Sequence, residues 1–425
     1  MKSQPHLGFP RRQLPPMAHV TRRLPREHVE HPDQDVCRQL LDRGLAKRVR
    51  QGARIAITAG SRSIGALVPI LSGIATAVKQ CGGEPFIVPA MGSHGGATPE
   101  GQTEILRLLG VNDGAAGMPI RSTMETIELG MAANGAMAHL DRYAAEADGI
   151  IVLGRTQIHP ESAEGLASGL LKMVTIGLGK QRGAQQAHSH KLWDSVRHVP
   201  EVVLPKSKIV FGVAVVENGY RQPLKIEVVD PNYEAFLESD KRLLELAKQH
   251  AAKLPFGNLD LLIVDEMGKT ISGSGMDLNV IGTYRATGKG PHEPDIKRIV
   301  ALSLTEASLG NALGIGLADF TTQRLLDAWD PGVSYINLLT AMEPESTTHE
   351  GPFPLALPTD REAIEVGLYS AIAGEHPRVC RIKSTARLDD MWVSDALLTD
   401  AEMDPSIDVD GAATEMSFSA AGNMF

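Results

Sequence analysis

The chain has 425 residues, 43% hydrophobic and 22% charged, an ordinary globular composition long enough for two or three domains. Its 42 Lys+Arg against 51 Asp+Glu give a net charge of −9, and without a cationic face interleaved with aromatics this excludes a dedicated nucleic-acid binder. Three scattered cysteines (Cys37, Cys81, Cys380) exclude a disulfide framework, and neither a secretory signal nor an apolar run of about 18 residues is present, so a soluble cytoplasmic protein with no membrane partner is expected.

Residues 1–50 read as an N-terminal arm, Pro- and Arg-rich to Arg26 and then helix-like from Asp33 to Arg50. The first 55 residues carry twelve basic and five acidic side chains. From Gly52 the text alternates. Ala53–Thr58 predicts a buried strand, Ile64–Gln80 an apolar helix, and Pro85–Ala90 a second strand followed by a Gly-rich turn. Thr98-Pro99-Glu100 announces a further helix, with a capping side chain and Pro at the first helical position. Asp148–Leu153 is another strand, and strands alternating with helices imply a mostly parallel sheet. After the polar helix Tyr233–Leu254, Pro255-Phe-Gly257 marks a boundary. The pattern resumes with strands Leu259–Asp265 and Ile299–Ser303 and a helix around Ala363–Ala373. The expected fold is α/β: a first domain over 51–255 and a second over 256–404, each with a mostly parallel sheet flanked by helices and an active-site cleft between them. Leu388 to Phe425 holds nine acidic residues and no Lys or Arg, and 405–425 reads as an acidic tail, either disordered or a docking segment.

In an open parallel sheet, ligands bind beyond the carboxyl ends of the strands. Gly60-Ser61-Arg62 follows the first strand, where backbone N–H groups at a helix start favour an anion and Arg62 adds a bidentate fork for carboxylate or phosphate. His94, in Met91-Gly-Ser-His-Gly-Gly96, follows the second strand, and Arg155 and His159 follow the Asp148–Leu153 strand. Two histidines and an arginine thus reach one crevice, which suits an acidic small molecule whose proton is moved; the alternative is a helix cap with a surface Arg and structural histidines. Lys172 sits in the apolar run Leu170–Ile176 and reads either as a snorkelling stem or as a desolvated amine kept as a nucleophile. His188-Ser-His190 is a weak metal pair. Gly268-Lys-Thr270 lacks the first Gly of a phosphate-binding loop, where Ile263 stands, and Gly177-Leu-Gly-Lys-Gln-Arg182 lacks the third Gly of a dinucleotide fingerprint.

Taken together, Gly60-Ser-Arg62, Pro89-Ala-Met-Gly-Ser-His94, His159, Ser168-Gly-Leu-Leu-Lys-Met173, Gly177-Leu-Gly-Lys180 and His188 resemble the lactate racemase family, the nickel-pincer-nucleotide enzymes that racemise or epimerise 2-hydroxy acids. The resemblance is strongest from Gly52 to His190. It implies an isomerase in which Arg62 holds the substrate carboxylate, His94 and His159 are the paired acid/base residues, and Lys172 tethers the nickel-pincer nucleotide covalently. It further implies Ser61 at the cofactor, His188 as the protein ligand of nickel, Lys269 as a substrate-binding lysine from the second domain, and maturation enzymes for the cofactor as partners. A homo-oligomer is compatible with it. Ala59 stands where the family often has an acidic residue, and Glu161 and Glu164 extend the stretch before Lys172, which suits a larger polyhydroxy acid such as an aldonic or uronic acid. Two other readings remain at this point: a metal-dependent lyase or hydrolase using His188 and His190, and a non-catalytic sugar-acid-binding protein.

Overall fold

The computed structural model describes residues 12–424 except 63, 113–116, 160–165, 167, 289–291 and 345–349. Strand β1 (Met17–Arg22) joins the sheet built by the far end of the chain. Helix α1 (Pro32–Asp42) is shorter than the predicted helix to Arg50, because Gly44 takes a left-handed conformation at φ +81° and diverts the chain into a single tight turn, Leu45–Lys47. Then follow β2 (Arg54–Ala59), α2 (Leu67–Gln80), β3 (Glu84–Pro89), α3 (Pro99–Leu108) and the hairpin β4 (Thr126–Met131) and β5 (Met137–Asp141). Next come β6 (Gly149–Arg155), α4 (Lys180–Ser189), α5 (Leu192–Lys206), β7 (Ile209–Glu217), β8 (Pro223–Val229) and α6 (Tyr233–His250).

The first sheet has the order β3-β2-β6-β7-β8, parallel except for β8. Every residue of β2 after Arg54 is buried, as a strand covered on both faces requires. The two-residue period of the strand divides the core: Ile55 and Ile57 pack with Leu40 of α1 and Ile70 and Ile74 of α2. Ala56 faces the other way, into the layer formed by Val196 and Val203 of α5 and Phe236 and Leu243 of α6.

The second sheet is built from β9 (Asn258–Met267), β10 (Asp295–Leu304), β11 (Phe320–Thr322), β12 (Leu355–Leu357), β13 (Val379–Ser384), β14 (Arg387–Ser394) and β15 (Ile407–Thr414), with β1 inserted. Helix α7 (Pro331–Thr340) lies between β11 and β12, and α8 (Asp360–Ser370) follows β12. The order is β12-β11-β10-β9-β13-β14-β1-β15. The β12 to β13 half is parallel as expected, whereas β14, β1 and β15 pair antiparallel. The physical reason is connection length: Thr385-Ala386 is too short for a crossover, so β14 must return as a hairpin.

The acidic stretch expected to be a tail supplies the edge strand β15. Its charges meet the basic N-terminal arm: Arg23 pairs with Asp408, Thr21 donates to Asp410 at 2.8 Å, and His19 sits between Asp390 (2.8 Å) and Asp410 (2.9 Å). The opposite charge excesses of the two termini are brought side by side in one sheet. No helix of the described residues is long and apolar enough to cross a membrane.

Candidate active site

The carboxyl ends of β3, β2 and β6 lie next to one another and open on a cavity of about 590 Å³. Arg62, His94, His159, Lys172, His188 and Lys269 all line it. With parallel strands about 4.8 Å apart, the three strand ends span about 10 Å, the width of a small organic acid. Because β2 is the middle strand, Arg62 stands between His94, which follows β3, and His159, which follows β6.

Arg62 lies in a turn five residues before α2, so the helix start expected beside it is displaced to Leu67 and supplies no N–H groups here. Among the described residues its guanidinium makes one long hydrogen bond, to Ser168 Oγ at 3.5 Å. Burial, with Arg155 and Arg221 nearby, lowers it to about 10, yet it stays charged at neutral pH. A cation with five donors and so little protein partnership is open to an anionic ligand.

His94 is oriented by Ser61, whose buried hydroxyl lies 2.5 Å from Nδ1. Ser61 therefore backs the histidine from a smaller side cavity and does not line the main chamber. His159 packs edge-on against Trp193, with ring centroids 4.9 Å apart. Burial, reinforced by surrounding cations (Lys269, Arg62 and Lys172 for His94; Lys172, Arg62 and His188 for His159), pushes both imidazoles well below the usual histidine value. Both are neutral at pH 7 and able to accept a proton.

Lys172 ends a short helical turn, Leu170–Lys172, that continues as the π-helical segment Met173–Gly177. Its Nζ sits 5.4 Å from the centre of the Trp193 ring. The turn is anchored by Asp240 of α6, fully buried, which accepts the backbone N–H groups of Leu170 (2.9 Å) and Leu171 (3.1 Å). A Cβ at Gly169 would stand 2.1 Å from Asp240 Oδ1, so the approach requires glycine. Burial raises the Asp240 carboxyl to about 7. Asp240→Ala strands two buried N–H groups and is expected to cost about 2–5 kcal/mol, read as a lowered urea midpoint; an unchanged midpoint would show that the anchor contributes nothing.

The second-sheet half supplies the rest of the chamber lining. Lys269 follows β9, buried, with its N–H donated to Ser308 Oγ at 3.0 Å and its ammonium to the Gly273 carbonyl. A Cβ at Gly268 would lie 2.2 Å from Ser308 Oγ and Thr305 Oγ1, so this strand end also needs glycine. Burial, only partly offset by Glu350 and with Arg62 adding repulsion, lowers Lys269 to about 7. From α7, Asn337 donates to Ser93 Oγ at 3.1 Å and accepts from Asn311 at 3.1 Å, tying the two sheets across the chamber.

Several sequence expectations need correction. Arg155 is not a chamber residue: it lines an adjoining cavity and pairs with Glu217 at 2.7 Å. His190 does not join His188, because its Nδ1 faces the Gln186 carbonyl at 2.9 Å and its ring lies against Gly135, outside the chamber lining. Glu161 and Glu164 lie outside the described residues.

Three residues at or beneath the chamber have no role assigned from the sequence. Trp193 carries its own signal, a tryptophan five residues beyond His188. Glu343 lies 3.4 Å from His188 Nδ1 and gives no signal, being remote in sequence. Lys180, fully buried with φ +55°, donates to Pro89 O (2.7 Å) and Gln102 Oε1 (2.6 Å) with Asp141 at 3.5 Å, bracing the turn that carries His94 from below. Its signal is a lysine within the Gly-rich apolar text of Gly177-Leu-Gly-Lys180.

No protein-family model matches the chain, and no curated protein matches it. Among solved structures it is similar to a Thermotoga maritima protein from a structural genomics consortium, at 14% identity over 64% of this chain and 70% of that one, TM-score 0.46. It is also similar to the lactate racemase apoprotein of Thermoanaerobacterium thermosaccharolyticum, at 11% identity over 88% of this chain and 99% of that one, TM-score 0.48.

Proposed function

We propose that the chain inverts the 2-hydroxy carbon of a hydroxy acid, with Arg62 and Lys269 holding the carboxylate and His94 and His159 moving the hydroxyl proton. One observation carries the reading: a single chamber is lined by two neutral histidines flanking an under-bonded arginine, with Lys172 and His188 on its wall. That set suits an anionic substrate and proton transfer from either side of the carboxylate anchor.

Lys172 and His188 fit the tether and ligand roles of a nickel-pincer nucleotide. Among the described residues no group of three His, Cys, Asp or Glu side chains could hold a bare ion. A metal that arrives with its own organic donors needs only one from the protein, and His188, with Nδ1 buried and Glu343 behind it, can offer the other nitrogen. Such a group, held by Lys172 and His188, would supply a hydride acceptor for C2 and so spare a histidine from removing a very weakly acidic C–H proton.

The remaining work belongs to the chain. Arg62 fixes the carboxylate with its planar fork, and Lys269 adds a second positive charge from the opposite wall. Holding the acid at this end leaves C2 between the histidines, so orientation is supplied before any bond changes. A neutral imidazole takes the hydroxyl proton and becomes the imidazolium, the form able to return a proton to that oxygen; His94 or His159 serves according to the hand of the acid bound. General acid–base help of this kind is worth about 10²–10⁴-fold. Asn337, Leu338 and Thr340 of α7 form part of the chamber wall, with Asn337 bonded to Ser93 of the first-sheet half. A chamber of about 590 Å³ has room for a polyhydroxy acid longer than lactate, and we propose an aldonic or uronic acid as the substrate class.

The charge states set a pH profile. His94 and His159 have lowered pKa values, so they remain basic as pH falls through the ordinary histidine range, and kcat/KM should persist below pH about 6.5. Lys269 is cationic only below about 7, so substrate affinity should weaken as pH rises through that value. Lys269→Arg, which stays charged, should remove this alkaline loss. An acid limb centred near 6.5, or an alkaline limb unchanged by that substitution, would contradict these assignments.

Intact-mass and metal analysis of chain produced together with the cofactor's maturation enzymes tests the reading. The expected result is a mass increase localised to Lys172 and one nickel per chain. An unmodified Lys172 with zinc bound would point instead to a lyase or hydrolase, and neither adduct nor metal would point to a sugar-acid-binding protein.

A further inference from the structure

We infer that Glu343, reaching across from the turn after α7, is a positioning residue that fixes the tautomer of His188 and so presents one defined nitrogen to the chamber. The purpose of that tautomer rests on His188 serving as the metal ligand proposed above; the geometry does not. Glu343 Oε1 lies 3.4 Å from His188 Nδ1 and accepts the Leu192 N–H at 3.1 Å. One carboxylate thus spans the last turn of α4 and the first residue of α5. It belongs to the half of the molecule built on the second sheet, whereas His188 belongs to the first.

Three contacts make this placement more than a chance approach. Asn337 donates to Ser93 Oγ at 3.1 Å, Gln181 Nε2 donates to Thr340 Oγ1 at 3.5 Å, and the Leu192 N–H holds Glu343 itself. The helix that precedes Glu343 is therefore seated on the first-sheet half at Ser93 and Gln181, and Glu343 itself at Leu192. Nδ1 is buried and, among the described residues, makes no hydrogen bond of good geometry, so the carboxylate facing it at 3.4 Å is the group that can take its proton in hydrogen bonding. An ionised carboxylate only accepts, so the facing nitrogen must carry the hydrogen. Nε2 then keeps its lone pair, and the ring is locked against flipping. A ligating histidine whose other nitrogen donates to a carboxylate is held in orientation and made more basic, and loss of such a partner costs about 10–100-fold in metal affinity. Free imidazole side chains prefer the opposite tautomer, so the assignment has a signature.

The test is long-range ¹H–¹⁵N spectroscopy of the full chain, labelled with ¹⁵N-histidine and free of cofactor, at alkaline pH where imidazoles are neutral, with His188→Gln to assign the signal. The expected result is an Nδ1–H tautomer for His188 in the wild type and a reversal to Nε2–H in Glu343→Ala, with the other histidine signals unmoved as the check on folding. In chain carrying the Lys172 adduct, Glu343→Ala should retain nickel at least about tenfold more weakly through dialysis against a chelator. An Nε2–H tautomer in the wild type overturns the inference without recourse to any variant, as does a tautomer or a nickel retention unchanged by Glu343→Ala. If no adduct forms on any chain, the function proposed above fails while the tautomer result still decides the role of Glu343.

Discussion

Lys172→Ala is expected to abolish the proposed interconversion of C2 stereoisomers and to leave the chain at its unmodified mass even when it is made with the maturation enzymes. The loss is expected to be complete because the proposed role is covalent, and among the described lining residues no neighbouring amine can replace it. The other chamber lysine, Lys269, enters from the opposite sheet with its ammonium held on the Gly273 carbonyl. Lys172→Arg separates tether from charge. Arginine keeps the cation beside Trp193 but cannot serve as a nucleophile at neutral pH, so it should fail as fully as alanine. Activity retained in the arginine variant would reduce Lys172 to a charge in the wall. Far-ultraviolet circular dichroism should be unchanged in both, since Asp240 anchors the backbone of this turn at Leu170 and Leu171 independently of the Lys172 side chain.

His94→Ala and His159→Ala should each lower kcat by about 10²–10⁴-fold, with KM moved far less. In the proposed reaction each removes a proton carrier while Arg62 and Lys269 would still hold the carboxylate, so the effect should fall on turnover. The two should also be distinguishable. His94 is backed by the Ser61 hydroxyl at 2.5 Å, whereas His159 is backed by the edge of Trp193. In single-turnover experiments started from each stereoisomer, one variant should be slower from one hand and the other from the opposite hand. Equal kinetics from both stereoisomers in both variants would remove the histidines from the proton steps.

How much of this was readable in advance follows from the range of the interactions. Strands β2, β3 and β6 of the first sheet are legible because they are buried and announce themselves as continuous apolar runs, as in Ile55–Ala59, whereas β7 and β8 are missing from the sequence expectations. Strand β15 is not legible. Ile407–Thr414 is acidic and Gly-containing, and it becomes a strand because β1, nearly 400 residues away, provides the ladder, with Arg23 just beyond it compensating the charge of Asp408. The chamber divides in the same way. Arg62, His94 and His159 can be found because they follow strands and the crevice rule selects them. Asp240 leaves a fainter trace, an acidic residue on the buried stripe of an amphipathic helix between Phe236 and Leu243. Asn337 and Glu343 leave none, since only the packing of α7 against the first-sheet half brings them to the site. Arg155 illustrates the converse: the crevice rule selects it, but Glu217 on the neighbouring strand claims it.

The most direct measurement is isotopic. Cofactor-loaded chain is given one stereoisomer of a 2-hydroxy acid labelled with deuterium at C2, in ordinary water, across acids from lactate to six-carbon sugar acids. The account predicts that the inverted stereoisomer appears with the label retained at C2, and that Lys172→Ala gives none. Inverted product whose C2 deuterium has exchanged with solvent would mean proton abstraction at carbon, and no inversion of any acid in the series would contradict the proposed reaction itself.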